Sequence, residues 1–158
     1  MNIIIRPPCL QDGAAITRLV KQSQTLDVNS SYLYFLLADH FAETCAVAEV
    51  DGQLVGFVTA YRLPKDPSVL FVWQVAVDPS MRGQGLALRL LDDLAQRDWF
   101  KQIQQVHCTI SPSNAASNGL FNKFAARLGS QTQSEDYLTS AHLGADHEAE
   151  PLIRIEVG

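Results

Sequence analysis

The segment from Asp78 to Ala87 holds the residues whose types and spacing say most about chemistry. It reads Asp-Pro-Ser-Met-Arg-Gly-Gln-Gly-Leu-Ala and lies between an apolar run and a helical pattern. Glycine lets a backbone approach a ligand closely, and the free N–H groups at a helix start favour a phosphate or pyrophosphate. The segment lacks the lysine of a GxxxxGK[ST] loop and the spacing of GxGxxG, which argues against two common nucleotide folds. An ordinary turn after a strand is the competing interpretation.

Two acidic residues are candidates for work on a cationic substrate. Asp27 lies in a polar turn between two predicted helices, where an aspartate usually caps or solvates. Glu148 belongs to the charged stretch His147-Glu148-Ala149-Glu150, whose ordinary interpretation is a solvated loop. His142 and His147 suggest a metal only weakly, because no third ligand follows at metal spacing. We therefore expect no metal.

Composition narrows the class of protein. The 158 residues are 47% hydrophobic, and 12 basic against 17 acidic residues give a formal charge of -5. This length predicts a single domain over residues 1–158. The sequence lacks the basic cluster that is typical of nucleic-acid binding, and none of its apolar runs is long enough to cross a membrane. We expect a soluble, cytoplasmic protein whose three cysteines, Cys9, Cys45 and Cys108, are buried thiols in a reducing compartment.

The pattern of hydrophobic residues predicts the strands and helices that position the candidate residues. Two β-rich runs, Cys45–Val50 and Leu54–Arg62, are separated by Asp51-Gly52, a dipeptide typical of a tight hairpin turn. Val69–Val77 is apolar on both faces and is predicted to be a central strand that Asp78-Pro79 ends. The polar stretch from Ser130 to Asp136 is interpreted as a linker.

The remaining elements complete a mixed α/β sheet with helices on both faces. A strand, a helix and a second strand in succession imply a right-handed parallel crossover. The predicted elements are a strand at Ile3–Arg6, a helix capped by Asp12 with Ile16, Leu19 and Val20 apolar, a helix at Ser31–Phe41, a helix from Gly85, a strand at Val106–Ile110, a helix opened by Asn114 and ended by Gly129, and a last strand at Leu152–Val157.

Arg82-x-x-Gly85-x-Ala87, after an apolar strand ending in Val-Asp-Pro, resembles the acetyl-CoA signature R/Q-x-x-G-x-G/A of the GNAT superfamily. The order of elements around it is also similar to that of the superfamily. The resemblance implies an acyl-CoA N-acyltransferase fold whose sheet splays open between two strands to admit the pantetheine arm of acetyl-CoA. It implies cofactor contacts from Gln74, Val75, Val77, Arg82, Gly83, Gln84, Gly85, Ala87 and Asn114.

Other segments resemble the L-2,4-diaminobutyrate acetyltransferases of ectoine biosynthesis, from about Ile5 to Ile155. These segments are Leu26–Tyr32, Asp39–Cys45, Leu70–Pro79 and Ser111–Asn114. The resemblance implies acetyl transfer from acetyl-CoA to the 4-amino group of L-2,4-diaminobutyrate. It also implies that the enzyme is a homodimer and that it serves a bacterium under osmotic stress. Asp27 would anchor a substrate ammonium, Tyr32 and Trp73 would line the pocket, and Glu148 would be a second carboxylate and a proton acceptor. Core packing is the competing role for Trp73.

One departure from the superfamily keeps other functions open. Many GNAT enzymes carry a tyrosine in the asparagine-initiated helix that protonates the departing thiolate, and the matching position here is Phe121. A non-catalytic acetyl-CoA-binding module is therefore one alternative. Another is an acetyltransferase for a different small amine, such as a polyamine, an aminoglycoside or a peptide N-terminus.

Overall fold

The computed structural model describes residues 2–23 and 26–157 and has the predicted α/β class. Its strands form one mixed sheet in the order β1-β2-β3-β4-β5-β7-β6. The strands are β1 (Ile3–Arg6), β2 (Ala46–Val50), β3 (Gln53–Leu63), β4 (Asp66–Val77), β5 (Gln105–Thr109), β6 (Thr132–Leu138) and β7 (Glu150–Glu156); the helices are α1 (Gly13–Ser23), α2 (Ser31–His40), α3 (Leu86–Ala95), α4 (Ala115–Arg127) and α5 (Ser140–Leu143).

Contacts group the chain into two compact units. The first contains the chain as far as Tyr61 together with Val72–Phe100, and the second contains Arg62–Phe71 together with the chain from Lys101 onward. The boundaries fall inside β3 and β4, so each of these two strands contributes one part to each unit.

Helices cover both faces of the sheet in the first unit. Successive strand residues point to opposite faces. Phe57 is fully buried in a cluster with residues of α1 and α2, whereas a Cβ on the neighbouring Gly56 would lie 3.3 Å from Leu90 of α3. The α1–α2 pair therefore lies on one face and α3 on the other, as predicted. At the hairpin, Asp51 and Gly52 both have positive φ angles, of 51° and 80°.

In the second unit, β5 lies between a parallel and an antiparallel neighbour. Three residues of β4, Val69–Phe71, pair in parallel with Gln105–His107, which confirms the parallel pairing of the two strands that was predicted. On its other side β5 pairs with β7, and β7 pairs with β6. The side chain of Asn114 accepts a hydrogen bond from the N–H of Ser117 and so begins α4, while Gly129 follows the end of that helix with φ of 72°.

Three predictions were wrong. The stretch from Ser130 to Asp136 is mostly edge strand β6 rather than a linker. Asp12 does not cap α1, because its carboxylate accepts hydrogen bonds from the Arg6 guanidinium and the Cys9 N–H. Cys9 is exposed, although Cys45 and Cys108 are buried as expected. Over residues 2–23 and 26–157, no helix combines the length and the apolar character that crossing a membrane requires.

Candidate active site

The loop after β4 is shaped by one aspartate and two glycines. Asp78 accepts hydrogen bonds from the N–H and hydroxyl of Ser80 at 2.9 and 2.7 Å, and these bonds hold the pKa of its carboxyl below the usual range. A single 3₁₀ turn, Pro79–Met81, follows. Gly83 and Gly85 then have φ angles of 77° and 73°, a region that residues with a side chain rarely occupy.

The start of α3 presents a series of free backbone donors. Gly85 is the N-cap of this helix and has no side chain to satisfy its first turn. Within the part of the chain that the structure describes, no acceptor pairs with the N–H groups of residues 83–88. A Cβ added at Gly83 or Gly85 would meet no atom within 4 Å, so the space over the loop is open. Free amides, the positive end of a helix dipole and open space are what an anionic phosphate group requires.

The other cofactor candidates of the first unit lie in or beside this loop. Arg82, Gly83, Gln84 and Gly85 are exposed, and Ala87 is half-buried in the first turn of α3. Gln74 is buried, with Val75 and Val77 half-buried after it in β4. Eight of the nine predicted cofactor residues therefore lie in β4, in the loop after it and in the first turn of α3.

The C-terminal half of β4 keeps one main-chain edge available. Pairing with β5 is described only for Val69–Phe71, and Val72–Val77 lie beyond it. Toward β3, the Thr59 hydroxyl accepts a hydrogen bond from the Gln74 N–H at 3.2 Å and donates one to its carbonyl at 3.4 Å. A buried side chain thus holds the backbone at Gln74.

Of the predicted substrate residues of the first unit, Asp27 and Trp73 lie beside Gln74. Its side-chain amide donates to the carbonyl of Asp27 at 3.4 Å and accepts from the Tyr34 hydroxyl at 2.9 Å. Trp73 stacks on Tyr34 with ring centroids 6.2 Å apart and an angle of 12° between the planes. Trp73 is 36% exposed, so one part of its indole faces solvent and it is not a closed core aromatic.

Tyr32 points away from this packing. It lies in the first turn of α2, where 70% of its surface is exposed, whereas Tyr34 on the same helix is completely buried. The side chain of Ser30 accepts a hydrogen bond from the N–H of Tyr32 and begins this helix.

In the second unit, Glu148 is held against the segment that precedes α4. Its two carboxylate oxygens accept hydrogen bonds from the N–H and the hydroxyl of Ser113, the residue before Asn114. Two residues further on, Glu150 accepts from the Thr109 hydroxyl at 2.9 Å and lies 3.6 Å from His147 Nε2. His147 Nδ1 lies 2.7 Å from the Glu148 carbonyl. The segment 147–150 is therefore held by hydrogen bonds of its carboxylates and of His147, although Glu148 itself stays exposed.

Comparison with known proteins decides the family. Residues 14–126 match the model of the acetyltransferase (GNAT) family. The L-2,4-diaminobutyric acid acetyltransferase of Halalkalibacterium halodurans is 47% identical over 155 residues, which cover 98% of this chain and 82% of the relative. The chain belongs to the diaminobutyrate acetyltransferase family. The L-2,4-diaminobutyric acid acetyltransferase of Marinococcus halophilus is 45% identical over 155 residues, which cover 98% of this chain and 90% of the relative.

Solved structures agree with this family. Diaminobutyrate acetyltransferase from Paenibacillus lautus, in complex with its substrate L-2,4-diaminobutyric acid and coenzyme A, superposes with a TM-score of 0.93 at 37% identity, covering 99% of this chain and 95% of that one. Ard1 from Thermoplasma volcanium, 18% identical, has a TM-score of 0.81 and shares the fold. The acyltransferase fold predicted from the glycine loop is confirmed.

Several residues around this candidate site were missed by sequence reasoning. Thr59, the side chain of Gln74, Ser113 and Glu150 take part only through contacts between distant positions, 15 to 47 residues apart. The one available signal was a glutamine inside an otherwise apolar central strand, which must find hydrogen-bond partners when it is buried.

Among the described residues, no three His, Cys, Asp or Glu side chains converge on one point. His142 uses its ring to accept from the N–H of Thr139, in a cap at the start of α5. Phe121, at the position of the superfamily tyrosine, is buried in α4.

Proposed function

We propose that this chain transfers the acetyl group of acetyl-CoA to the 4-amino group of L-2,4-diaminobutyrate, giving 4-acetamido-2-aminobutanoate and CoA. The observation that carries the proposal is full-length similarity, at 37 to 47% identity, to acetyltransferases named for this substrate, one of them solved with substrate and CoA. The free N–H groups of residues 83–88 support the proposal independently, because the open loop that carries them is suited to the diphosphate of CoA.

Main-chain groups are assigned the binding of the cofactor, acetyl-CoA. The amides of residues 83–88 would hold the pyrophosphate, with Arg82 adding a positive charge at the edge of the loop. The free edge of Val72–Val77 offers N–H and carbonyl groups to the two amides of the pantetheine arm, as a neighbouring strand would. The N–H of Val75 or Val77 would also polarise the thioester carbonyl, because the Gln74 N–H is already bonded to the Thr59 hydroxyl. Asn114 is assigned a contact to the cofactor on the resemblance alone.

The substrate needs carboxylates for its ammonium groups and a proton acceptor for the attacking amine. An alkyl amine with a pKa of about 10 is mostly protonated near neutral pH, so a proton must leave before or during attack on the thioester. We assign Asp27 to a substrate ammonium and Glu148 to the second ammonium or the proton. Tyr32 and the exposed part of Trp73 are assigned to the pocket, where an indole face attracts a cation.

The hydrogen bonds of Glu148 constrain its role. A carboxylate offers about four lone-pair positions, and Ser113 occupies two of them in this chain. The remaining two leave Glu148 able to accept from an ammonium while its orientation stays fixed. Glu150 is a second candidate for the same role, because its carboxylate is also oriented, by Thr109 and His147.

Replacement of each carboxylate by its amide separates these assignments. Asp27→Asn and Glu148→Gln are each expected to lower kcat/KM for diaminobutyrate by about a hundredfold, the scale of a lost charged hydrogen bond, with little change in stability. Asp39→Asn and Glu135→Gln, at exposed acidic residues of α2 and β6, are matched controls. Wild-type kinetics in Glu148→Gln together with a large loss in Glu150→Gln would transfer the role to Glu150.

The central test is the reaction itself. CoA release from acetyl-CoA is measured with L-2,4-diaminobutyrate, and NMR of the product locates the acetyl group. Turnover to the 4-acetamido product supports the proposal, and turnover to the 2-acetamido product contradicts the regiochemistry. CoA binding without thiol release over a broad amine panel would favour the non-catalytic module. Faster turnover of a polyamine, an aminoglycoside or a peptide N-terminus would favour a different amine.

The assembly and setting are proposals of the same kind. A single acetyltransferase domain over residues 1–158, a homodimer and a cytoplasmic location follow from the resemblance and the composition. Light scattering of the purified chain tests the homodimer, and transcript levels under salt stress test the osmotic role. The net charge of -5 also predicts no retention on a nucleic-acid column.

A further inference from the structure

A closed ring of hydrogen bonds joins the segment before α2 to strand β4. The Asn29 side-chain nitrogen lies 3.4 Å from the Tyr34 hydroxyl oxygen and 3.3 Å from the Asp27 carbonyl oxygen. The Gln74 amide closes the ring, with Oε1 2.9 Å from the same hydroxyl and Nε2 3.4 Å from the same carbonyl. We call these four groups the amide ring.

The chemistry of the four groups fixes the direction of every bond. A main-chain carbonyl can only accept, so both Gln74 Nε2 and Asn29 Nδ2 must donate to Asp27. Gln74 Oε1 then faces Tyr34, whose hydroxyl donates to it and accepts from the second hydrogen of Asn29. Removal of the Tyr34 hydroxyl leaves Gln74 Oε1 without its donor, and removal of the Gln74 amide leaves that hydroxyl without its acceptor.

The ring is anchored on its strand side. Gln74 is 4% exposed and the ring of Tyr34 is fully buried, so the bond from the Tyr34 hydroxyl to Gln74 Oε1 lies where its loss is costly. The main chain of Gln74 is held by the Thr59 hydroxyl through both its N–H and its carbonyl. Gln74 therefore cannot move easily toward or away from β3, and the less regular segment 26–30 is the side that the ring positions.

We propose that Gln74 is a positioning residue that sets the site of Asp27 relative to β4, and thereby the affinity for the amine substrate. The inference rests on the proposed function, in which Asp27 anchors a substrate ammonium and the main chain of β4 holds the thioester. Because the amide ring grips the main chain of Asp27 itself, the carboxylate starts from a fixed point. The side chain of Gln74 acts on the substrate, whereas the main chain of the following residues, Val75–Val77, is assigned to the cofactor.

Two variants test the positioning role at different points of the ring. Tyr34→Phe removes only the hydroxyl and leaves the buried aromatic in place. Gln74→Glu keeps the shape but sets an acceptor against the Asp27 carbonyl. Each is expected to raise KM for diaminobutyrate about tenfold, the scale of one buried hydrogen bond, while KM for acetyl-CoA stays within about twofold.

Thr44→Val is the matched control. The Thr44 hydroxyl donates to the Ala60 carbonyl at 2.6 Å, a buried bond of the same unit that lies outside the amide ring. Its loss is expected to lower the melting temperature as Tyr34→Phe does and to leave both KM values unchanged. A similar rise in KM for diaminobutyrate in this control would reduce Gln74 to a stabilising residue and overturn the proposal.

Gln74→Glu also carries a pH signature that loss of stability would not produce. Burial raises the pKa of a carboxyl, and the protonated form has an O–H that can replace the lost donor. The ratio of variant to wild-type KM for diaminobutyrate should therefore be largest near pH 9 and fall toward about pH 6. A ratio independent of pH, or an equal rise in KM for acetyl-CoA, would refute positioning. Absence of wild-type turnover on diaminobutyrate would instead refute the proposed function, and the positioning role with it.

Discussion

Replacement of Gly85 by alanine separates backbone strain from cofactor binding. Gly85 has φ of 73°, and a residue with a Cβ pays about 1–2 kcal/mol to adopt this left-handed region. No protein atom lies within 4 Å of the added Cβ, so strain is the whole cost to the free protein. In the complex, the methyl group would occupy the open space over the free amides of residues 83–88. We expect Gly85→Ala to weaken CoA binding at least tenfold, or about 1.4 kcal/mol, beyond its effect on folding.

Gly129→Ala is the control for strain. Its φ of 72° matches that of Gly85, and a Cβ there also meets no atom within 4 Å, but it follows α4 and belongs to no proposed cofactor element. Urea unfolding should give both variants the same loss of about 1–2 kcal/mol, and calorimetric titration with CoA should find weaker binding in Gly85→Ala alone. Equal CoA affinity in the two variants would refute the pyrophosphate loop.

Three further replacements test single contacts. Thr59→Val removes the hydroxyl that bonds both main-chain groups of Gln74; we expect a loss of about 1–3 kcal/mol in urea unfolding and a lower kcat/KM for acetyl-CoA, and unaltered kinetics would argue against a role for this strand in holding the thioester. Asn114→Ala should cost about 1 kcal/mol of stability through the lost cap on the Ser117 N–H, whereas Asn114→Asp should keep it; equal losses would contradict capping. For Asp12, burial disfavours the charged carboxyl, but hydrogen bonds from Arg6 and Cys9 outweigh burial and lower its pKa. A lowered pKa stabilises the fold above the unfolded value of about 3.9 and loses this effect as pH falls further, so Asp12→Asn should be less stable than wild type at pH 7, and the gap should close in unfolding experiments at acidic pH.

Elements that follow local rules could be predicted from the sequence. Asp51-Gly52 specifies a hairpin because both residues must take positive φ, and both do. Val69–Val77 is apolar on both faces because β4 has neighbouring strands and covering helices, which the observed sheet order explains. Asn114 begins α4 with the side-chain bond that its residue type favours.

Elements that depend on a distant partner could not be predicted. Six of the seven residues of β6 are polar or charged, or an exposed tyrosine, and the strand exists because β7 provides its hydrogen bonds. Asp12 has the residue type of a helix cap, but Arg6 lies close enough in space to bind its carboxylate instead. In both cases tertiary contacts outweigh the local preference.

The same distinction separates the two ligands of the proposed reaction. Recognition of a diphosphate uses backbone N–H groups. The backbone conformation that presents them is one that glycine adopts most easily, so the sequence shows glycine at fixed positions such as Gly83 and Gly85. Recognition of a particular amine uses side chains, which are placed by bonds between residues 47 apart, as in Gln74 with Asp27, or 35 apart, as in Ser113 with Glu148. No short motif records such bonds. A cofactor signature is therefore shared across a superfamily, while selection of the substrate changes with a few long-range contacts that only the folded chain shows.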